Sequence, residues 1–334
     1  MTDAPLMTIR DLGVTFASRS RQFVAISGVS FDLEAGTVLG LVGESGSGKS
    51  MTALAILGLV PPQGAVTGSI RLDGIEVVGA DKSTLRSVRG GVAAMIFQNP
   101  GAALNPYFTI GGQLTEIVMR HRRVGRAAAR AILVGAFGDT RLADPELALE
   151  RYPHQFSGGQ LQRIVIATAL ACNPKLLIAD EPTTALDVTV QAQIVDTLRE
   201  LARSRGLGIL FITHDLGLVG ALCDRVAVMY AGRIVETGRV QDFLEGPQHP
   251  YSERLLAAVP RFGGPGRLAT IPGQVPDASV ARKGCAFQPR CQYAMPVCAT
   301  QSPPVLRSAN GAVVACHFPR NGASAGADRT GGTS

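Results

Sequence analysis

The stretch Gly43-Glu44-Ser45-Gly46-Ser47-Gly48-Lys49-Ser50 sets a lysine and a hydroxyl behind a run of small residues. It fits G-x-x-x-x-G-K-[ST], with an apolar run before it (Thr37 to Val42) and an apolar helical stretch after it (Met51 to Leu59). Glycines there let successive backbone N–H groups curl around phosphate oxygens, and the start of the helix favours negative charge. Lys49 would reach the β- and γ-phosphates of a nucleotide, and Ser50 would ligate Mg²⁺. A nucleotide site also needs an acid at the end of another strand. Leu176 to Pro182 (LLIADEP) supplies two: Asp180 would hold Mg²⁺ through water, and Glu181 would polarise the attacking water. A third signal is Phe156-Ser157-Gly158-Gly159-Gln160, a Gly-containing turn that opens the helical run LQRIVIATALA. That is a second anion-binding helix start in one chain. One ATP has one triphosphate, so two cradles on different elements imply two chains sandwiching two nucleotides head to tail.

Elements in alternation must position these groups. Strands are expected at Met7–Phe16, Ala25–Leu33, Thr37–Val42, Ser69–Leu72, Ala93–Phe97, Leu176–Ala179, Gly208–Thr213 and Arg225–Tyr230. Pro61-Pro62 is expected to stop the helix that begins at Met51. Strand–helix alternation predicts an α/β fold with a mainly parallel sheet. The Ala- and Arg-rich stretch from Asn99 to Tyr152 predicts a helical subdomain, bounded at about 99–165. After Glu245, Pro and Gly punctuate the text, giving an expected domain of 1–245, an extension of 246–320 and a disordered tail of 321–334.

Composition limits the alternatives. With 46% hydrophobic residues the chain can fill a core, which excludes disordered and fibrous classes. The longest apolar stretch, Met51 to Val60, is far short of the roughly 18 residues of a membrane span. No signal peptide is readable, so a cytosolic chain is expected. Residues 1–245 carry 23 basic and 23 acidic side chains, while 246–334 carry 9 and 3, the whole of the net +6. The basic residues are scattered and form no run, which argues against nucleic acid as a partner.

Together these motifs resemble the ATP-binding subunit of an ABC transporter. FSGGQ is similar to that family's signature, with Phe156 in place of Leu. The resemblance implies further roles. Gln98, in MIFQNP, would contact Mg²⁺ and sense the transmembrane partner. Asp187, in Ala185-Leu186-Asp187, would bridge two subunits, and His214, in FITHD, would contact the γ-phosphate. Phe16 stands where the family places an adenine-stacking aromatic, usually Tyr. The ATP-binding set then runs through Phe16, Gly43 to Ser50 and Met51, with Ser157, Gly158, Gly159 and Gln160 serving the opposite chain's nucleotide.

YPHQFSGGQLQR, GPQHPYSERLLAAVP and GCAFQPRC further resemble the oligopeptide/dipeptide importer branch. That implies two permease subunits, a second ATP-binding subunit (identical or not), an extracytoplasmic binding protein met indirectly, and a peripheral place on the cytoplasmic face of the cell membrane. Branches importing nickel, opines or sugars share these motifs. A soluble ABC ATPase acting on nucleic acid or ribosomes would usually carry two cassettes or a coiled-coil insertion, and neither is present.

Cys285, Cys291, Cys298 and Cys316 crowd the extension with spacings of five, six and 17 residues. In a reducing cytosol, disulfides are not expected. Four thiolates suit a [4Fe–4S] cluster or Zn²⁺, and the wide spacings favour the cluster over zinc, free structural thiols being the third reading. The resemblance points the same way, since members of that branch with this spacing are similar to proteins that carry such a cluster. A small core in the extension would need this staple, and no part in ATP hydrolysis is expected of it.

Overall fold

The computed structural model describes residues 4–17, 22–184, 186–259, 270–276, 283–308 and 311–320. The expected tail and Ala185 lie outside them. The chain opens with β1 (Met7–Ala17) and β2 (Gln22–Leu33), followed by β3 (Val38–Val42) and α1 (Lys49–Ile56). Then come β4 (Gly64–Leu72), β5 (Ile75–Glu76), α2 (Lys82–Val88) and β6 (Ala93–Ile96). A run of helices follows: α3 (Ile110–Arg122), α4 (Arg126–Asp139), α5 (Pro145–Glu150) and α6 (Gly158–Ala171). The α/β alternation resumes with β7 (Leu176–Asp180), α7 (Val188–Arg205), β8 (Gly208–Thr213), α8 (Leu216–Leu222), β9 (Arg225–Tyr230), β10 (Arg233–Arg239) and α9 (Val240–Glu245). The last elements are α10 (Pro250–Ala257), α11 (Pro296–Thr300), β11 (Val305–Arg307) and β12 (Val313–Ala315).

Two sheets carry the fold. The first is antiparallel, in the order β2-β1-β4-β5. In β1 the inward alternation would slip at Arg10-Asp11, but Asp11 takes a positive φ of 48° and the register shifts there. The bulge returns Leu12 and Val14 to the buried face that Met7 and Ile9 occupy. The second sheet runs β11-β12-β10-β9-β3-β8-β7-β6. Its strands β9, β3, β8, β7 and β6 are parallel. Every residue of β3, β7 and β8 is buried, as expected of unbroken apolar runs covered on both faces.

Several boundaries differ from expectation. Helix α1 ends at Ile56, well before Pro61, because Gly58 takes a left-handed φ of 61° just beyond it. The hairpin strand β10 was not foreseen. The helical region has a core of its own, with Leu114, Leu133, Phe137 and Ile164 buried in it. Helix α6 serves two cores, since Ile166 and Leu170 belong to the sheet's cluster. The packing also crosses the border drawn at Glu245. Strand β12 pairs with β10 through Glu236–Val314 and Thr237–Val313, and Tyr251 and Phe287 are buried in the main core with Tyr230 and Phe243. The extension therefore does not depend on a small core of its own.

Candidate active site

The C-terminal ends of adjacent parallel strands form the cleft, the usual ligand position in open α/β sheets. The loop after β3 needs glycine at position 43: its φ is 154°, and an added Cβ would stand 2.1 Å from the Met229 carbonyl oxygen. Gly46 and Gly48 also have positive φ, 77° and 105°. Lys49 is buried, and its Nζ folds back on the loop, donating to Gly43 O at 2.7 Å and Glu44 O at 2.9 Å. Burial pulls the Lys49 pKa down, with the charges of Glu181, Asp180 and Glu44 opposing.

Ser50 Oγ donates to Asp180 Oδ1 at 3.2 Å, bringing the end of β7 against the start of α1. Burial raises the Asp180 pKa, opposed by the Ser50 bond. A hydroxyl and a carboxylate, both oxygen donors, suit Mg²⁺. Glu181 sits one residue beyond β7 at a positive φ of 47°, a conformation costing about 1–3 kcal/mol that must be held by its surroundings. Its N–H donates to Ile212 O at 2.9 Å. Its carboxylate receives Gln98 Nε2 at 3.0 Å and Thr184 Oγ1 at 2.9 Å, and His214 Nδ1 stands 3.3 Å away. Gln98, Glu181 and His214, from the ends of β6, β7 and β8, therefore meet at one carboxylate. Thr184 joins them, although no sequence motif singled it out.

The other expected residues have local partners. Ser157 Oγ accepts the Gln160 N–H at 3.3 Å, and Gln160 Oε1 accepts the Ser157 N–H at 2.9 Å. Within one chain these two residues are the capping box of α6. Asp187 likewise caps α7, accepting from Val190 N at 2.9 Å. Phe16 lies 6.2 Å from the Phe23 ring, centroid to centroid, and Met51 packs on the apolar cluster beneath β1 and β2. A cavity of about 610 Å³ opens beside the N-terminal end of β3 and gathers none of these residues.

Two contacts escaped sequence reasoning. The Glu44 N–H donates to Tyr251 Oη at 2.8 Å, and the Glu44 carboxylate accepts two bonds from Arg290. Glu44 is thus engaged by the extension, a contact that none of the sequence motifs indicated. The signals were present, in HPY and PRC, but neither names a target hundreds of residues earlier.

Cys285, Cys291, Cys298 and Cys316 line one pocket with Phe287, Tyr293 and Phe318. Burial raises the thiol pKa values of Cys285 and Cys291, and that of Cys316 to about 11. Among the described residues, no three His, Cys, Asp or Glu side chains stand close enough to hold one metal ion, so neither the iron–sulfur reading nor the zinc alternative finds a formed ligand set here. Cys172 and Cys223 are buried core residues.

Comparison with known proteins agrees with this geometry. A family model described as ABC transporter matches residues 26–184, and one described as the C-terminal region of oligopeptide/dipeptide transporters matches 235–298. The oligopeptide transport ATP-binding protein OppD of Salmonella typhimurium is 46% identical over 315 residues, 94% of this chain and 94% of its own. The dipeptide transport ATP-binding protein DppD of Escherichia coli is 42% identical over 316 residues, 94% of this chain and 97% of its own. The dimeric post-hydrolysis structure of the ATP-binding cassette MJ0796 with ADP and Pi superposes with a TM-score of 0.63 at 25% identity, covering 70% of this chain and 98% of that one. With its phosphate loop, paired carboxylates and signature helix on that fold, the chain belongs to the ABC transporter ATP-binding proteins of the oligopeptide/dipeptide (OppD/DppD) family.

Proposed function

We propose that this chain hydrolyses MgATP between two ATP-binding subunits to drive peptide import through a membrane permease pair. The observation that carries it is the gathering of Lys49, Ser50, Asp180, Glu181, Gln98 and His214 at the ends of neighbouring parallel strands. Lys49 would exchange its two loop carbonyls for phosphate oxygens. Ser50, Gln98 and Asp180 would hold Mg²⁺, which supplies charge neutralisation to the phosphoryl oxygens. Glu181 accepts the proton of the attacking water, and His214 steadies the γ-phosphate from beside it. Ser157 and the start of α6 would face the nucleotide of the opposite chain, with Asp187 at the seam and Phe16 against adenine. Exposed Phe97, Tyr107 and Phe108, on the segment that carries Gln98 toward α3, offer an apolar face to the permease. No helix of the described residues is long and apolar enough to cross a membrane, which fits a peripheral subunit.

Peptide cargo is supported by the relatives' names and by the match of residues 235–298. The test is growth of an amino-acid auxotroph of the source organism, lacking this chain, on peptides containing that amino acid. The parent chain should restore growth and Glu181→Gln should not; growth without any copy would overturn the cargo. Donor type and spacing support a [4Fe–4S] cluster on the four extension cysteines, which line one pocket without three of them standing close enough for one metal ion; they would have to draw together to hold it as a cross-link of the extension. Anaerobic purification should yield about four iron and four sulfide per chain. A colourless, iron-free preparation would defeat the assignment.

A further inference from the structure

Glu44 is the second residue of the phosphate loop, yet its backbone and side chain are both held by the extension. Its N–H donates to Tyr251 Oη at 2.8 Å, and its carboxylate receives Arg290 Nη1 at 2.7 Å and Nη2 at 2.9 Å. Arg290 is fixed from its other side as well. Nε donates to Pro272 O at 2.8 Å, Nη2 to Ile271 O at 3.2 Å, and Nη1 to Tyr230 Oη at 3.3 Å. The Arg290 side chain is only 4% exposed, against 27% for Glu44. A guanidinium so withdrawn from water needs an anion beside it, and the two-pronged contact fixes the direction as well as the charge. Tyr251 is held equally firmly, with its ring buried against Tyr230 and Phe287 at centroid distances of 4.6 and 5.4 Å.

The electrostatics explain what this contact does for the loop. A bare carboxylate at position 44 would add negative charge beside a polyphosphate, and Coulomb repulsion at such range is large in a partly buried cleft. The Gly43 and Glu44 carbonyls are also the acceptors of Lys49 Nζ, at 2.7 and 2.9 Å. Whatever orients the Glu44 peptide therefore orients the lysine. We propose that Arg290 and Tyr251 are positioning residues for ATP binding: Arg290 neutralises and aims Glu44, Tyr251 takes its N–H, and the pair presets the Gly43–Glu44 turn. The proposal rests on the reading that Gly43 to Ser50 hold the triphosphate.

Equilibrium binding of a fluorescent ATP analogue with Mg²⁺, beside steady-state hydrolysis, tests it on the full chain. Arg290→Gln should raise the nucleotide Kd about tenfold, while kcat at saturating ATP stays within about twofold, because the groups on β6, β7 and β8 are untouched. The double variant Glu44→Gln/Arg290→Gln should bring Kd back to within about threefold of the parent, since no carboxylate is left to repel phosphate. A residue that merely anchored the extension would give no such rescue. Tyr251→Phe keeps the ring and removes the acceptor, and should raise Kd about threefold. A parental Kd for Arg290→Gln, or a weakened one that the Glu44 change does not restore, overturns the proposal. If Arg290→Gln fails to fold, a parental Kd for Tyr251→Phe does the same. Lys49→Ala separates the layers: if it binds nucleotide like the parent, the phosphate-loop reading itself falls.

Discussion

His249 shows how one buried side chain ties the extension to acid stability. It is fully enclosed, its Nδ1 accepts the Tyr251 N–H at 3.0 Å, and burial pulls its pKa down to about 3. Unfolded, the imidazole titrates near pH 6.5. Between those values the unfolded chain binds a proton that the folded chain refuses. Its contribution to stability is therefore complete above about pH 6.5 and lost as pH falls toward 3, by up to about 1.4 kcal/mol per pH unit. Glu236 acts in the opposite sense, because burial raises its carboxyl and the folded chain keeps that proton longer. A comparison of variants removes the shared term. His249→Asn retains a capping acceptor and cannot titrate, so between pH 6.5 and 5 the parent should lose about 1.5 kcal/mol more than the variant in urea unfolding. Equal losses would mean that the imidazole is not held neutral.

At the scale of elements, the start of α6 joins an observed role and a proposed one in one residue. Ser157 caps its own helix within the chain, and in a sandwich it would meet the partner's triphosphate. Ser157→Asp tells them apart, because aspartate caps as well as serine but repels phosphate. Thermal stability should stay within a few degrees of the parent while ATP turnover falls at least about tenfold. Parental turnover would reduce Ser157 to a cap. What was legible in the sequence follows the same division. The central strands and the loop after β3 read clearly, because an unbroken apolar run suits a strand covered on both faces, and a glycine-dense turn before Lys-Ser suits a phosphate cradle. Strand β10 and the short β11 and β12 were missed because RIVETGR interrupts its apolar residues with charges and the last two strands have three residues each. Gln98 and His214 became identifiable only through resemblance. Their meeting at Glu181 depends on strand order, which no local pattern states.

At the scale of the molecule, the extension packs into the core of the cassette and pairs with its sheet. Much of its positive charge is engaged internally: Arg290 pairs with Glu44, Arg254 bonds Gln292, and Arg320 lies 3.9 Å over the Tyr293 ring and 3.4 Å from Glu253. Phe287, 1% exposed, is wedged among Tyr230, Tyr251 and His249, so Phe287→Ala should cost about 3–5 kcal/mol in denaturant unfolding, and an unchanged midpoint would detach the extension from the core. The central claim remains that Glu181, held at the meeting point of three strand ends, activates the water that attacks ATP. Its most direct test is Glu181→Gln, assayed for nucleotide binding and hydrolysis under the same conditions. The glutamine variant should bind MgATP with parental affinity and lose about 10²–10⁴ in turnover. Hydrolysis at the parental rate would contradict that role for Glu181.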